Sequence, residues 1–197
     1  MGVLLVRCAA ATDLDAGAET LAEAFENYAW TRHVLPEDDY EERLRALQLL
    51  YLRYAQEQGV VAVTDACDGV IALLPPDAPE PDDDMVEQIV ALHGDRLDRL
   101  DQTPSPADAW RLETLGVRPA SQGRGIAAAL LEFALAAIAE RGAREVRLET
   151  SDPRNVRLYE RHGFRVMSHS EPAEGPQIWQ MSAALDTCRE DRGAHIP

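Results

Sequence analysis

The sequence feature that most constrains the fold is a glycine-containing segment between two regular elements, residues 122–127, which read Gln-Gly-Arg-Gly-Ile-Ala. A strand-like run from Trp110 to Val117 precedes it, and a long apolar run over 127–141 with helical character follows it. A strand that passes through glycines into a helix leaves the first N–H groups of that helix without partners, and glycines let an anion approach them. The segment therefore predicts an α/β fold with an anion-binding loop.

The length and the net charge of the chain limit the classes of function that it can have. The chain has 197 residues, which suits one well-cored domain, and a formal net charge of −16. This charge argues against general nucleic-acid binding, which needs a basic surface. Two interpretations of the acidic excess stay open: a solubility surface, or an acidic cleft that attracts a cationic small substrate. All 19 lysine or arginine residues are arginine, so P-loop NTPase and lysine Schiff-base chemistry are excluded.

The three cysteines, Cys8, Cys67 and Cys188, are far apart and form no CxxC pair. This spacing suggests neither a zinc site nor a disulfide framework, and it fits a reducing compartment. The apolar run over residues 3–6 is too short for a signal peptide, and no run approaches the length of a membrane span. We therefore expect a cytoplasmic protein with no metal and no membrane partner.

Periodicity and turn residues predict alternating strands and helices with no internal repeat. Helices are predicted over 13–27, 38–58, 84–100, 124–141 and 154–161. Strands are predicted over 3–9, 60–64, 70–74, 109–117, 145–150, 164–169 and 176–183. The pair Asp68-Gly69 indicates a hairpin turn, and residues 75–108 are expected to be an insertion because they cannot bury a core of their own.

Three interpretations of the glycine loop compete. The spacing Gly-x-Gly-x-x-Ala over 123–128 fits a dinucleotide fingerprint, with Glu145 and Glu149 near the position of a ribose-binding acid. However, five residues separate the strand from the glycines, whereas a Rossmann strand runs almost directly into them. A turn that only packs a helix does not explain Arg118 and Arg124, because cations are unfavourable at a helix N-terminus without an anion.

The third interpretation uses two motifs. Gln122, Gly125 and Ala127, after a strand that ends Leu-Gly-Val, resemble the pyrophosphate loop of the GCN5-related N-acetyltransferase (GNAT) superfamily, and residues 148–164 resemble its second cofactor segment. The resemblance implies the GNAT fold, an α/β (α+β) arrangement. In that fold helices flank a central mixed, mostly antiparallel, twisted sheet, here with a helical insertion between strands three and four. It also implies acetyl-CoA as co-substrate and no metal.

Other segments resemble puromycin N-acetyltransferases: residues 24–33, the helix around 42–54 and the ending 174–181. This resemblance covers nearly all of residues 5–185. It implies a single N-acetyltransferase domain over 1–185, with 75–108 as the helical insertion and 186–197 as a flexible tail. The implied acceptor is a small-molecule amine, for example an aminonucleoside or an antibiotic-like amine, that attacks the thioester directly. We expect a monomer or a homodimer.

For the co-substrate, the resemblance implies contacts from both motifs. Backbone groups of the fourth strand, freed where it splays from the fifth, would face the pantetheine and the reacting carbonyl. Asn155 would hydrogen-bond the pantetheine or cap its helix, and Asp152, where the superfamily often has asparagine, is expected to be the cap. The candidate residues are Leu115, Gly116, Val117, Gln122, Gly123, Arg124, Gly125, Ile126, Ala127, Ala128, Asn155 and Tyr159.

Tyr159 occupies the general-acid position of the second motif. A phenol has a pKa of about 10, so it stays protonated until a thiolate leaves; anchoring of its helix is the alternative role. The general base stays open between Glu113, Glu149, His33 and water. Strand alternation would place Glu113 on the same face as Leu115.

The acceptor pocket is expected between the first two helices and strands four and five. Aromatic side chains there can grip a planar or cationic acceptor, with core packing as the alternative role of each. The candidate walls are Phe25, Tyr28, Trp30, His33, Trp110 and Trp179, whereas His93 and His162 are expected to be structural. Two other functions stay open: an acyl-CoA-binding regulator without turnover, and a protein or peptide N-acetyltransferase.

Overall fold

A seven-stranded sheet organises the chain in the computed structural model, which describes residues 4–100 and 108–185. The strands are β1 (Val6–Cys8), β2 (Val60–Thr64), β3 (Gly69–Leu74), β4 (Trp110–Val117), β5 (Glu145–Thr150), β6 (Arg165–Ser170) and β7 (Ile178–Ala184). Their order is β1-β2-β3-β4-β5-β7-β6, and only β4 and β5 are parallel neighbours. The predicted mixed, mostly antiparallel sheet is confirmed, and the Rossmann alternative, which needs a mostly parallel sheet, is excluded.

Helices cover both faces of this sheet. On one face Ile71 packs with Leu130 of the helix that follows the glycine loop, and on the other Val70 packs with Leu21 and Leu52. Strands β2 and β3 are buried along their whole length as a result. The helices are α1 (Leu14–Phe25), α2 (Ala29–Val34), α3 (Tyr40–Gln58), α4 (Asp83–His93), α5 (Ile126–Glu140) and α6 (Pro153–Glu160).

Strands β4 and β5 run together only at their beginning. Their ladder extends from Trp110 opposite Val146 to Leu112 opposite Leu148. Beyond Leu112 the two strands diverge, so the edge of β4 that faces β5 has no strand partner there. This divergence opens the sheet at its centre.

A β-bulge lies at the same point of β4. Leu112 and Thr114 pair with adjacent residues of β3, which leaves Glu113 as an extra residue without a ladder partner. Leu115 therefore shares the α5 face with Leu112, and both contribute to the core on that face. The predicted alternation, with Glu113 and Leu115 on one face, is wrong because a bulge inserts one residue into the period of two.

The insertion between β3 and β4 is fixed to the helical layer by two arginines. Arg43 of α3 donates to the carbonyls of Ala91 and Leu92 at the end of α4, at 3.0 and 3.1 Å. Arg96 donates to the carbonyl of Leu35 just after α2, at 2.6 Å. The insertion is thereby held against α2 and α3.

Apart from shifts of up to three residues at the ends of elements, the observed elements differ from the predicted ones in three places. Helix α2 was not predicted, because six residues are too short to show a helical period. The helix predicted over 84–100 ends at His93, since Gly94 takes a φ of +52°. Gly69 belongs to β3 rather than to the turn, where Cys67 takes the positive φ. The expected tail, 186–197, lies outside the described residues, and none of the helices that are described is both long and apolar enough to cross a membrane.

Candidate active site

A cavity of about 570 Å³ lies where β4 and β5 diverge. Strands β4, β5 and β7 form one side, helices α1 to α3 and the insertion form the other, and α6 closes the end. The cavity brings together all three catalytic candidates, Glu113, Glu149 and Tyr159. It also includes Leu115 and Asn155 of the co-substrate candidates, and the aromatic side chains Phe25, Tyr28, Trp30 and Trp110.

The strand segment Leu115, Gly116 and Val117 lies beyond the last β4–β5 pair. A Cβ atom on Gly116 would lie 2.7 Å from Cδ2 of Leu21 and 3.2 Å from Cβ of Ala24. The glycine is therefore needed for the packing of α1 on β4.

The glycine loop presents unpaired donors at the start of α5. Gly123 and Gly125 have φ values of +75° and +83°, and a Cβ on either would meet nothing within 4 Å, so the loop surface is open. Within the described residues, the backbone N–H groups of 123–128 donate to no acceptor. Gln122 donates its side-chain amide to the carbonyl of Val117 at 3.1 Å, which folds the loop back on β4. The loop therefore has the free donors that an anion requires.

The two arginines beside the loop have different surroundings. Arg118 forms an ion pair with Glu23 of α1 at 3.2 Å, which explains its position without an anion. Arg124 is exposed at the tip of the loop. The argument that a cation here requires an anion therefore applies to Arg124 alone.

Tyr159 is a buried wall of the cavity, with 5% of its surface exposed. Its ring packs on Phe164 with 5.5 Å between the ring centroids, so it also anchors α6. Burial, with Tyr28 nearby, raises the pKa of the Tyr159 phenol well above its usual value. The hydroxyl therefore keeps its proton at neutral pH.

A hydrogen-bond network connects the two sides of the cavity near Tyr159. The N–H of Ser151 donates to the hydroxyl of Tyr28 at 2.7 Å, and that hydroxyl lies 3.1 Å from Oγ1 of Thr150. Asn155 donates its amide to the same Thr150 oxygen at 3.3 Å. Asp152 accepts from the N–H of Arg154 at 2.7 Å and caps α6, as predicted, so Asn155 is not the cap.

Two carboxylates face the cavity from neighbouring strands. Glu113 is paired with Arg111, and Glu149 accepts a hydrogen bond from the Gln180 amide at 2.9 Å. Burial raises the pKa of Glu113, Arg111 opposes that change, and Glu149 adds to it. Burial and Glu113 also raise the pKa of Tyr51 on the opposite wall to about 12. In residues 4–100 and 108–185 no group of three or more His, Cys, Asp or Glu side chains could hold a metal ion.

Two of the proposed walls lie elsewhere. His33 lines a smaller neighbouring pocket of about 240 Å³ that shares Trp30 with the main cavity, and burial and Arg99 lower its pKa. Trp179 stacks on His169, with ring centroids 4.5 Å apart and planes 6° apart, and lines neither pocket. Its neighbours Ile178 and Gln180 line the cavity, so strand alternation turns Trp179 to the other face of β7.

Several polar residues of the cavity were not among the sequence candidates, including Gln48, Tyr51, His93 and Thr114. His93 was expected to be only structural. Gln48 could have been identified from the sequence. It occupies an inward position of α3 between Leu44 and Leu52, which are both buried. A polar residue in an otherwise apolar helix stripe indicates either a buried hydrogen bond or a ligand.

Comparison with known proteins agrees with this architecture. The acetyltransferase (GNAT) domain family matches residues 83–166, which include the glycine loop and most of the second motif. A Corynebacterium glutamicum protein described as "histone acetyltransferase HPA2 and related acetyltransferase" is 23% identical, with a TM-score of 0.73 over 94% of this chain and 98% of that one.

Two further solved structures contain the co-substrate or its product. PaiA N-acetyltransferase from Thermoplasma acidophilum, in complex with coenzyme A, is 17% identical with a TM-score of 0.59 over 93% of this chain and 99% of that one. YncA from Salmonella typhimurium, with its cofactor acetyl-CoA, is 17% identical with a TM-score of 0.57 over 99% of both chains. At these identities the likeness to solved structures establishes the fold alone. The match to the domain family covers the glycine loop and most of the second motif as well. The chain therefore has the fold of the GNAT acetyltransferases, and its residues 83–166 match the GNAT domain family.

Proposed function

We propose that this protein is an acetyl-CoA-dependent N-acetyltransferase that moves an acetyl group to the amine of a small molecule. Such a transfer needs hydrogen-bond donors for a developing oxyanion, an acid for the departing thiolate and an acceptor for the amine proton. The observation that carries the proposal is the cavity at the β4–β5 divergence. An unpaired strand edge, the Tyr159 hydroxyl and two carboxylates all border that one cavity.

The residues present fit acetyl-CoA. The unpaired N–H groups of 123–128 would hold the pyrophosphate, with Gln122 and Arg124 beside it. The free edge of β4 at Leu115, Gly116 and Val117 would pair with the pantetheine amides, and Asn155 would contribute its amide. When bound, acetyl-CoA supplies the activated acetyl group.

The side chains of the cavity supply proton transfers. Tyr159 keeps its proton at neutral pH and donates it to the departing sulfur. Glu113 and Glu149 attract a cationic amine and take a proton from it. The raised pKa of Glu113 makes its carboxylate a stronger base than an ordinary glutamate.

The shape of the cavity favours a compact acceptor over a peptide. The insertion contributes His93 and Leu100 to the wall opposite the sheet, and Arg43 and Arg96 hold that segment in place. A volume of about 570 Å³ lies within the usual range of small-molecule sites.

An activity assay with a single tyrosine variant tests the proposal. The protein is mixed with acetyl-CoA and a panel of primary amines, and release of free thiol is followed. We expect turnover with at least one amine, and a fall in kcat of about 100-fold in Tyr159→Phe, because the thiolate then leaves without its acid.

The matched control is Tyr54→Phe. The Tyr54 hydroxyl donates to the carbonyl of Pro79 outside the cavity, so this variant should keep wild-type turnover. Calorimetry with coenzyme A should give equal affinities for all three proteins. Tight coenzyme A binding without turnover on any amine would instead indicate a regulator.

A further inference from the structure

The wall of the cavity opposite the sheet contains two buried polar side chains. Gln48 of α3 is 7% exposed, and His93 at the end of α4 is 1% exposed, yet both line the cavity. Apolar side chains line the same cavity, among them Val34, Leu47 and Leu100. Polar groups in such surroundings are costly unless something hydrogen-bonds to them.

The side-chain amide of Gln48 has no hydrogen-bond partner among the described residues. No side-chain hydrogen bond joins it to any other residue of 4–100 or 108–185. It occupies an inward position of α3, where leucine stands one turn before and one turn after. An amide that only filled space there would be replaced by leucine without loss, because an apolar residue of similar shape is neutral or stabilising at an unpaired buried position.

His93 is held in one orientation, and one of its ring nitrogens has no partner among the described residues. Its Nδ1 lies 2.8 Å from the carbonyl of Ile89, so Nδ1 carries the proton and donates it. Nε2 is then an acceptor, and burial lowers the pKa of the imidazole, which keeps the ring neutral. Arg43 binds the carbonyls of Ala91 and Leu92, so the turn that carries His93 is fixed.

A third group lies on the sheet side of the cavity. Oγ1 of Thr114 is buried and has no hydrogen-bond partner within the described residues. Thr114 follows the bulge residue Glu113 in β4. The cavity therefore has a carboxylate region at β4 and β5, and a neutral hydrogen-bonding region that reaches Gln48 and His93.

We infer that Gln48 and His93 form a recognition subsite for the acceptor, and that the acceptor carries an uncharged hydroxyl or amide N–H group remote from its reacting amine. The inference rests on the proposed function. In this arrangement the ammonium group lies at Glu113 and Glu149, and the remote part of the acceptor reaches the wall that contains His93 and Gln48. There Nε2 of His93 accepts a hydrogen bond, and the Gln48 amide can donate or accept one. Acceptors that lack the remote group leave both side chains unpaired, and a site of this kind rejects such analogues strongly.

The test compares amines that differ in one hydroxyl: tyramine against phenethylamine, and aminohexanol against hexylamine. We expect kcat/KM of the wild-type protein to favour the hydroxylated member of at least one pair by about tenfold or more. Gln48→Leu should reduce that ratio to near one. His93→Asn should do the same, because its amide keeps the bond to the Ile89 carbonyl but lacks an acceptor at the position of Nε2.

Two further variants separate recognition from structure. His93→Gln places an oxygen near the position of Nε2 and should restore part of the preference. His162→Asn is the matched control, because His162 makes the same bond to a carbonyl four residues earlier, at 2.9 Å from Leu158, but lies outside the cavity. The His162→Asn variant should keep the wild-type ratio of kcat/KM values within each pair.

The Tm of Gln48→Leu should match or exceed that of the wild type, whereas replacement of a merely structural glutamine would lower the Tm.

Two results would overturn the inference: a wild-type ratio near one for both pairs, or a preference that survives in Gln48→Leu and His93→Asn. If the proposed function is wrong, the result is different, because no thiol is then released from acetyl-CoA with any amine. In that case calorimetry with the same four amines, in the presence of coenzyme A, measures the ratio of binding affinities within each pair. A tenfold preference that disappears in both variants would still support the subsite.

Discussion

Glu113 combines three properties that a base in this cavity needs. The bulge frees it from the ladder, its side chain borders the cavity with 31% exposure, and Arg111 holds it beside Glu149. Burial and Glu149 raise its pKa, whereas Arg111 lowers it. The balance between these neighbours sets the pH at which Glu113 becomes able to accept a proton.

The pH dependence of kcat/KM tests this role. A base works only when deprotonated, so kcat/KM should rise with pH through the pKa of Glu113. Arg111→Gln removes the group that lowers this pKa, so the acid limb of the profile should move to higher pH. Glu113→Gln should remove the limb and lower kcat/KM by about 100-fold. A limb that stays at the same pH in Glu113→Gln would assign the proton transfer to Glu149 or to water.

At the scale of elements, the packing of α1 on β4 determines the position of the acceptor wall. Gly116 lets Leu21 and Ala24 approach the strand, and Phe25, the next residue of the helix, lines the cavity. The cavity thus depends on a contact whose residues, apart from Phe25, do not line it.

Gly116→Ala should therefore destabilise the fold and disturb the site together. The added methyl would meet Cδ2 of Leu21 at 2.7 Å, and overpacking of this kind costs about 1–3 kcal/mol of the free energy of unfolding. Urea denaturation measures that loss. In a double-mutant cycle, Leu21→Ala should relieve part of it, so that the double variant is more stable than the sum of the single changes predicts. Strict additivity would contradict the contact.

At the scale of elements, part of the structure could be predicted from the sequence. Glycine spacing, the strand before it and the Tyr159 segment were sufficient to predict the sheet, α5 and the place of Tyr159 in the cavity. The bulge at Glu113, the short helix α2 and the orientation of Trp179 were not predictable, because each depends on contacts between distant segments rather than on a local period. His93 was taken as structural for the same reason, since only the folded insertion brings it to the cavity.

For the whole molecule, the net charge of −16 bears on how substrates arrive. The carboxylates of the cavity fit the view that the acidic excess attracts a cationic acceptor, and they do not exclude a contribution to solubility. A field of this sign accelerates encounters with cations and slows those with the anionic co-substrate.

Measurements at different ionic strengths separate the attraction of a cationic acceptor from a contribution to solubility. With acetyl-CoA kept saturating, kcat/KM for a cationic acceptor such as tyramine should fall several-fold between low and high salt, because screening shortens the reach of the acidic surface. An aromatic amine that is uncharged at neutral pH, such as anisidine, should show little change. Equal salt dependence for both amines would restrict the acidic excess to solubility.

The bulge in β4 has one consequence for how such a chain can change over time. Leu112 and Thr114 already pair with adjacent residues of β3, so deletion of Glu113 alone would leave a regular ladder with the register intact on both sides. A single in-frame codon loss would therefore remove the proposed base and preserve the sheet. A descendant of this kind would still fold and could still bind coenzyme A, and it would give a simple route from an enzyme to a binding protein.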